Sequence, residues 1–296
     1  MTTFSRASLY ALSLLALGAA PSAARDCGPD ALGVSRTLTI GRTKGVGVGL
    51  QSYPRTLDLQ EKEVVLTFDD GPSGPTARVL DALAKECALA TFFVVGRNAE
   101  EAPALVKREA SEGHSIGHHS YSHPANTLRL MADAAARADI DRGVAAVNKA
   151  SGGQAAPFFR FPGFADTGPL LDYLEGRGFT VFGSDLWASD WSPMSPKAEL
   201  ELVMKRLEKE GRGIVLFHDN KAQTAAMIPD FLRELKARGY RLVHIVPGEG
   251  ETPLAPAPAG WTSTTEPIIA RTLKGKTASS PQESGGEGHT HPLPDP

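Results

Sequence analysis

The chain has 296 residues, a net charge of −3, 22% charged and 41% hydrophobic residues, which is the make-up of a soluble globular protein. That length holds one large domain or two small ones. No basic face dominates, which argues against nucleic acid as the main partner.

In chain order, Arg6 is followed by an apolar run over residues 9–20 and then by Ser22-Ala23-Ala24. Basic, apolar and small residues in that order predict a secretory signal peptide over 1–24. The run is too short for a bilayer, which needs about 20 apolar residues, so no stable membrane insertion is expected. Export places the protein in the periplasm or the medium. Cys27 and Cys87 are the only cysteines, and an oxidising compartment predicts a disulfide between them; two free thiols are the alternative.

Residues 25–60 lack clear periodicity and read as an irregular lead-in with at most one short strand. From 61 to 249 the pattern is regular. Strands are expected at 63–68, 90–95, 114–117, 157–161, 180–184, 213–218 and 241–246. Helical faces lie between them: Val79, Leu80, Leu83 and Cys87; Ile140, Val144 and Val147; Leu200, Val203 and Leu207. Ser195-Pro196 reads as a helix start. Alternating strands and helices imply an α/β fold, a distorted or incomplete (β/α) barrel of about seven parallel strands. From 250 to 296 Pro, Gly, Ser and Thr take over, which predicts a disordered tail; His289 and His291 there read as solvated side chains.

In such barrels chemistry gathers where strands end. The run Val64-Val65-Leu66-Thr67-Phe68 stops at Asp69-Asp70-Gly71-Pro72. Arg160 follows Pro157-Phe158-Phe159. Asp185 and Asp190 follow Val181-Phe182-Gly183, and Ile214-Val215-Leu216-Phe217 ends at His218-Asp219. His119 and His123 are four apart, a spacing that puts both rings on one face of a helical turn. Two imidazoles and a carboxylate with an open position are the pattern of a catalytic zinc site. His114 and His118 are out of register and are candidates only for supporting roles.

Thr67-Phe68-Asp69-Asp70-Gly71-Pro72, then Gly113-His114-Ser115-Ile116-Gly117-His118-His119-Ser120-Tyr121-Ser122-His123-Pro124, Arg160, Asp190-Trp191 and Leu216-Phe217-His218-Asp219 resemble the five ordered motifs of the polysaccharide deacetylases (NodB homology domain, carbohydrate esterase family 4). The resemblance runs from about 62 to about 246. It implies metal-dependent hydrolysis of N-acetyl, or alternatively O-acetyl, groups on a glycan, with peptidoglycan, chitin-like oligomers and capsule polymers all open as the substrate. It implies Asp69 as general base, and Asp70, His119 and His123 as ligands of one divalent ion. Zn²⁺ is the first choice on ligand type, with Co²⁺ or another ion as the alternative. Arg160 matches the residue that holds the base ionised. Asp190 matches the partner of His218, the general acid. Leu216 matches the pocket for the acetyl methyl, and Gly163, Phe164 and Trp191 are expected around the substrate.

Two departures stand out. The third motif, usually Arg-Pro-Pro-Tyr-Gly, reads Arg160-Phe161-Pro162-Gly163-Phe164. His118 stands where Asn is frequent. Alternatives are a silent carbohydrate-binding module using Trp187, Trp191 and Phe164 as a platform, and an amidase on a non-sugar substrate.

Overall fold

The structure is a computed structural model, and it describes residues 27–41, 47–125 and 127–277. The expected signal peptide, 1–24, and the last part of the expected tail, 278–296, lie outside the described residues.

Among the described residues nine strands form one parallel sheet: β1 (Arg36–Ile40), β3 (Glu63–Asp69), β4 (Thr91–Val94), β5 (Ser115–His118), β6 (Phe158–Phe159), β7 (Thr180–Val181), β8 (Leu186–Trp187), β9 (Gly213–His218) and β10 (Arg241–Pro247). The path runs β1-β10-β3-β4-β5-β6-β7, while β9 pairs with β3 and β8. Val48 bridges to Phe182 just past β7, bringing the lead-in against the far end of the path. The barrel is therefore distorted, as its short strands imply. All seven expected strand runs are present.

Strand parity decides what faces where. In β3 every residue is buried. Val64, Leu66 and Phe68 pack outward against α1 (Thr76–Lys85) and α7 (Ala222–Ala237), with Phe68 stacked on Phe92 and Phe217 at 5.1 and 5.5 Å. Val65 joins a second cluster with Ile214 and Phe182. Thr67 and Asp69 share the Val65 face. In β9, Leu216 and His218 share the parity of Ile214. The β3–β9 register sets Thr67 against Leu216 and Asp69 against His218. Two motifs about 150 residues apart thus meet at one rim through register alone.

Helix α6 (Pro196–Glu210) forms where local chemistry demands it. The Ser195 hydroxyl accepts from the Ala198 N–H at 3.2 Å, Pro196 fills the first turn, and Gly211 ends the helix at φ 73°. Cys27 and Cys87 are bonded, with Cα atoms 6.0 Å apart, tying the start of the described chain to the end of α1. Cys87 itself lies past that helix, at φ 46°.

Two expectations for the flanks are corrected. The lead-in supplies β1, whose Leu38 and Ile40 are buried against β10, and β2 (Arg55–Leu57). The expected tail supplies β11 (Leu254–Pro256), antiparallel to β2, and α8 (Thr265–Thr277). Composition suggested too little apolar surface to order the tail, but Ile268 and Ile269 are 1% and 3% exposed. Among the described residues no helix is long and apolar enough to cross a membrane.

Candidate active site

The rim beyond β3 holds the paired acids, and their backbones separate them. Asp69 ends the strand with its side chain on the interior face. Asp70 leaves it at φ 71°, a left-handed turn that swings its carboxylate aside. The Asn98 amide donates to the Asp70 carbonyl at 2.7 Å and fixes that turn. Gly71 comes next, and a Cβ there would collide with the Asp219 carboxylate. Asp219 is buried and accepts from the Thr76 hydroxyl, bracing the turn from below. Burial pushes its pKa up to about 7.

Asp69 is held by Arg160, whose side chain is wholly buried. Its Nη1 donates to Asp69 Oδ1 at 2.7 Å and to the Thr67 hydroxyl at 2.9 Å; Nη2 donates to the Gly183 carbonyl at 2.7 Å. The guanidinium also lies 4.3 Å from the centre of the Phe93 ring. Burial lowers the Arg160 pKa, and the Asp69 charge opposes that. This is no solvated surface pair, whose worth would be about 0–1 kcal/mol.

His119 and His123 converge on Asp70, but no helix carries them. They flank a turn after β5, with Ser120 at φ 62° and His123 at φ 45°. The Ser120 hydroxyl accepts from the His123 N–H at 3.0 Å and closes it. The expected helical spacing is thus replaced by a hydroxyl-closed turn that reaches the same end. The His119 Nδ1–H donates to the Arg160 carbonyl at 2.7 Å, which turns its Nε2 toward Asp70.

Asp70 Oδ1 lies 3.2 Å from His123 Nε2 and 3.5 Å from His119 Nε2. Ligands about 2.0–2.2 Å from a tetrahedral ion stand roughly 3.3–3.6 Å apart, so the trio fits one divalent cation. Asp70 Oδ1 is buried and accepts no hydrogen bond within the protein, as an oxygen kept for a cation would. Burial alone would raise the Asp70 pKa; the facing imidazoles of His123, His119 and His218 outweigh it and hold it well below the carboxylate range.

Opposite the trio, the His218 Nδ1–H donates to Asp190 Oδ1 at 2.7 Å, and its backbone N–H donates to Oδ2 at 2.6 Å. The Thr224 hydroxyl adds a third bond to Asp190 at 2.8 Å. Burial, the largest influence, pulls the His218 pKa down. Asp190, with Asp70 and Asp69, overcomes it and brings the ring up to about 9. The imidazole is therefore protonated at neutral pH, with Nε2 on the Asp70 side, 4.0 Å from Oδ2.

A pocket of about 60 Å³ lies between these groups, lined also by Phe161, Gly163, Phe164, Trp191, Leu216 and Lys221. Trp191 is partly buried, edge-on to His218 at 5.9 Å between ring centres. Trp187 and Phe164 are 3% and 5% exposed and pack on each other, so they cannot serve as an open sugar platform.

Some expected or overlooked residues fall elsewhere. Asp185 is far from the rim: it binds the N–H of Ile214, the second residue of β9, whose other end is His218. His118 packs edge-on against Phe179, and burial lowers its pKa to about 3; His114 accepts from the Ala90 N–H beside Phe92. Neither belongs to the Asp70–His119–His123 trio. Thr224, Asn98 and Lys221 were not legible as site residues, since single polar residues on loops and helix starts give no periodic signal.

A family model described as polysaccharide deacetylase matches residues 56–182. Over 198 residues the chain is 33% identical to the peptidoglycan-N-acetylglucosamine deacetylase of Bacillus cereus, spanning 64% of this chain and 72% of that protein. It superposes on a peptidoglycan deacetylase of Bdellovibrio bacteriovorus with a TM-score of 0.61 at 34% identity, covering 73% of this chain and 61% of that one. A family 4 carbohydrate esterase of Streptomyces lividans, solved with acetate, superposes with a TM-score of 0.54 at 34% identity, covering 66% and 97%. The chain belongs to the polysaccharide deacetylase family and shares the hydrolase fold of its carbohydrate esterases.

Proposed function

We propose that this protein is an exported, metal-dependent deacetylase that removes N-acetyl groups from a cell-wall glycan, with peptidoglycan the favoured substrate. The observation that carries it is that Asp69 and His218, register neighbours on β3 and β9, line one pocket with the Asp70–His119–His123 trio beside them. Relatives named for peptidoglycan support the substrate class. The Cys27–Cys87 bond supports an oxidising compartment.

Asp70, His119 and His123 would hold the divalent ion, Zn²⁺ by ligand type. When bound, it supplies a Lewis acid for the acetyl carbonyl and eases ionisation of water. Asp69, oriented by its 2.7 Å bond from Arg160, takes the proton of the attacking water as the new C–O bond forms. Its second oxygen lies 3.8 Å from His119 Nε2, beside the trio. The Gly163 N–H, on a residue lining the pocket, would bond the developing oxyanion. His218 then gives its Nε2 proton to the amide nitrogen as the C–N bond breaks, releasing acetate and a free amine. Leu216 packs against the methyl.

Metal content and acetate release, measured on the same variants, test the division of labour. Asp69→Asn and His218→Ala should each lose about 10²–10⁴-fold in rate while keeping the metal. Asp70→Asn should lose metal affinity itself. Full activity in the first two would overturn the assignment. Tight glycan binding by a wild type that releases no acetate would favour the silent module.

A further inference from the structure

We infer that α8 is the back wall of the acyl pocket, and that Ile269 is a positioning residue that limits the size of the acyl group admitted. This rests on the deacetylase reading above and deepens it. Helix α8 lies beyond residue 246, where the family motifs end.

The contacts are specific. Ile269 shares one buried cluster with Phe164, Ala165, Trp187 and Leu216, and Leu273 packs on the same group. Phe164 and Leu216 also line the pocket. Ile269 therefore touches the wall whose other surface meets the acyl group. Phe164 needs that support. It stands at φ 55°, where the family motif carries Gly, and a bulky residue keeps such a backbone only when packing holds it. Its packing partners are Trp187 and the Ile269 cluster.

The helix is also fastened to the lead-in and to the loop chains around Phe164. The N–H groups of Thr264 and Thr265 donate to the Gln51 carbonyl at 2.8 and 3.1 Å, and Trp261 Nε1 donates to the Leu50 carbonyl at 2.7 Å. Arg129 grips Glu266 with two bonds of 2.8 and 2.9 Å. The same guanidinium donates through Nε to the Asp166 carbonyl at 2.6 Å, two residues past Phe164. One arginine thus ties α8 to the chain that leaves His123 and to the chain that leaves Phe164. Ile268 supplies an internal control. It is equally buried, at 1% exposure, but is not part of the Phe164–Leu216 cluster.

The test compares kcat/KM for N-acetylglucosamine oligomers and their N-propionyl counterparts in the full chain loaded with Zn²⁺. Ile269→Ala should raise the propionyl-to-acetyl ratio about tenfold, the scale on which an apolar pocket discriminates one methylene. Ile269→Val removes one methyl and should move the ratio the same way by about two- to threefold, so the test stands if the alanine variant does not fold. Ile268→Ala should lower the melting temperature and leave the ratio where it was. An unchanged ratio in a folded Ile269 variant overturns the inference, as does an equal change in Ile268→Ala. A wild type that deacylates neither oligomer overturns the functional reading instead, which is a separate result.

Discussion

Asp185 and Asp190 sit on either side of β8, both almost wholly buried, at 5% and 1% exposure. One lies at the floor of the barrel and the other at its rim. Asp190 faces an imidazole that it keeps charged. Asp185 faces neutral donors: the Leu50 N–H, the Ile214 N–H and the Thr56 hydroxyl, each at 2.8 Å. Burial raises the Asp185 pKa, and those three bonds oppose the rise. Histidines repeat the contrast. His218 at the rim is brought up to about 9, whereas His244, against Ser115 at the start of β5, is lowered to about 4 by burial. A buried titratable group therefore does not mark chemistry by itself. The charge of its partner does.

The largest expected effect breaks the rim pair. Asp190→Asn should lower kcat/KM by about 10²-fold or more and leave metal content intact. It should also change the pH profile. His218 carries its proton below about 9 and loses it above, so activity should fall as pH rises through that value. Removing Asp190 leaves burial less opposed, and the falling limb should move to lower pH. A limb that stays in place would mean that another group titrates there.

At the floor the same substitution should act on stability and not on chemistry. Asp185→Asn turns an amide NH₂ toward backbone N–H donors, so one bond is lost and a donor is left facing donors. The expected cost is about 1–3 kcal/mol, read from urea unfolding. kcat should stay within about twofold, because nothing at the rim changes its hydrogen bonds. A rate loss matching that of Asp190→Asn would erase the distinction between floor and rim.

The contrast also explains what was legible in the sequence. Asp69, Leu216 and His218 could be read because strand parity and a parallel register are local rules extended by one pairing. The His119–His123 spacing was readable as a shared target, but the turn that delivers it depends on Ser120 and a left-handed backbone. Asp185 was read as a rim residue, since its partners come from residues 50, 56 and 214 and no pattern near 185 announces them. The lead-in strand β1 alternates as Arg36-Thr37-Leu38-Thr39-Ile40, yet its order depends on β10, some 200 residues later. Ile268 and Ile269 form too small an apolar patch to predict α8; tertiary burial makes that helix, not intrinsic propensity.

The smallest expected effect concerns His244. It is 4% exposed, its Nε2 lies 3.3 Å from the Ser115 hydroxyl, and the Ser115 hydroxyl donates to the Ile245 carbonyl at 2.6 Å. Burial sets its pKa at about 4, against about 6.5 in an unfolded chain. The unfolded state then binds more protons between those values, so stability contributed by neutral His244 is full above pH 6.5. It is lost progressively as pH falls toward 4. By pH 5 the loss should be about 2 kcal/mol. His244→Gln keeps an amide in place of the ring and has no proton to take up, so it should flatten this part of the stability curve even if it is less stable at pH 7.5. Urea unfolding of both proteins at pH 7.5 and pH 5 measures the difference. Equal losses in the two would show that His244 is not the group that senses acid at the floor.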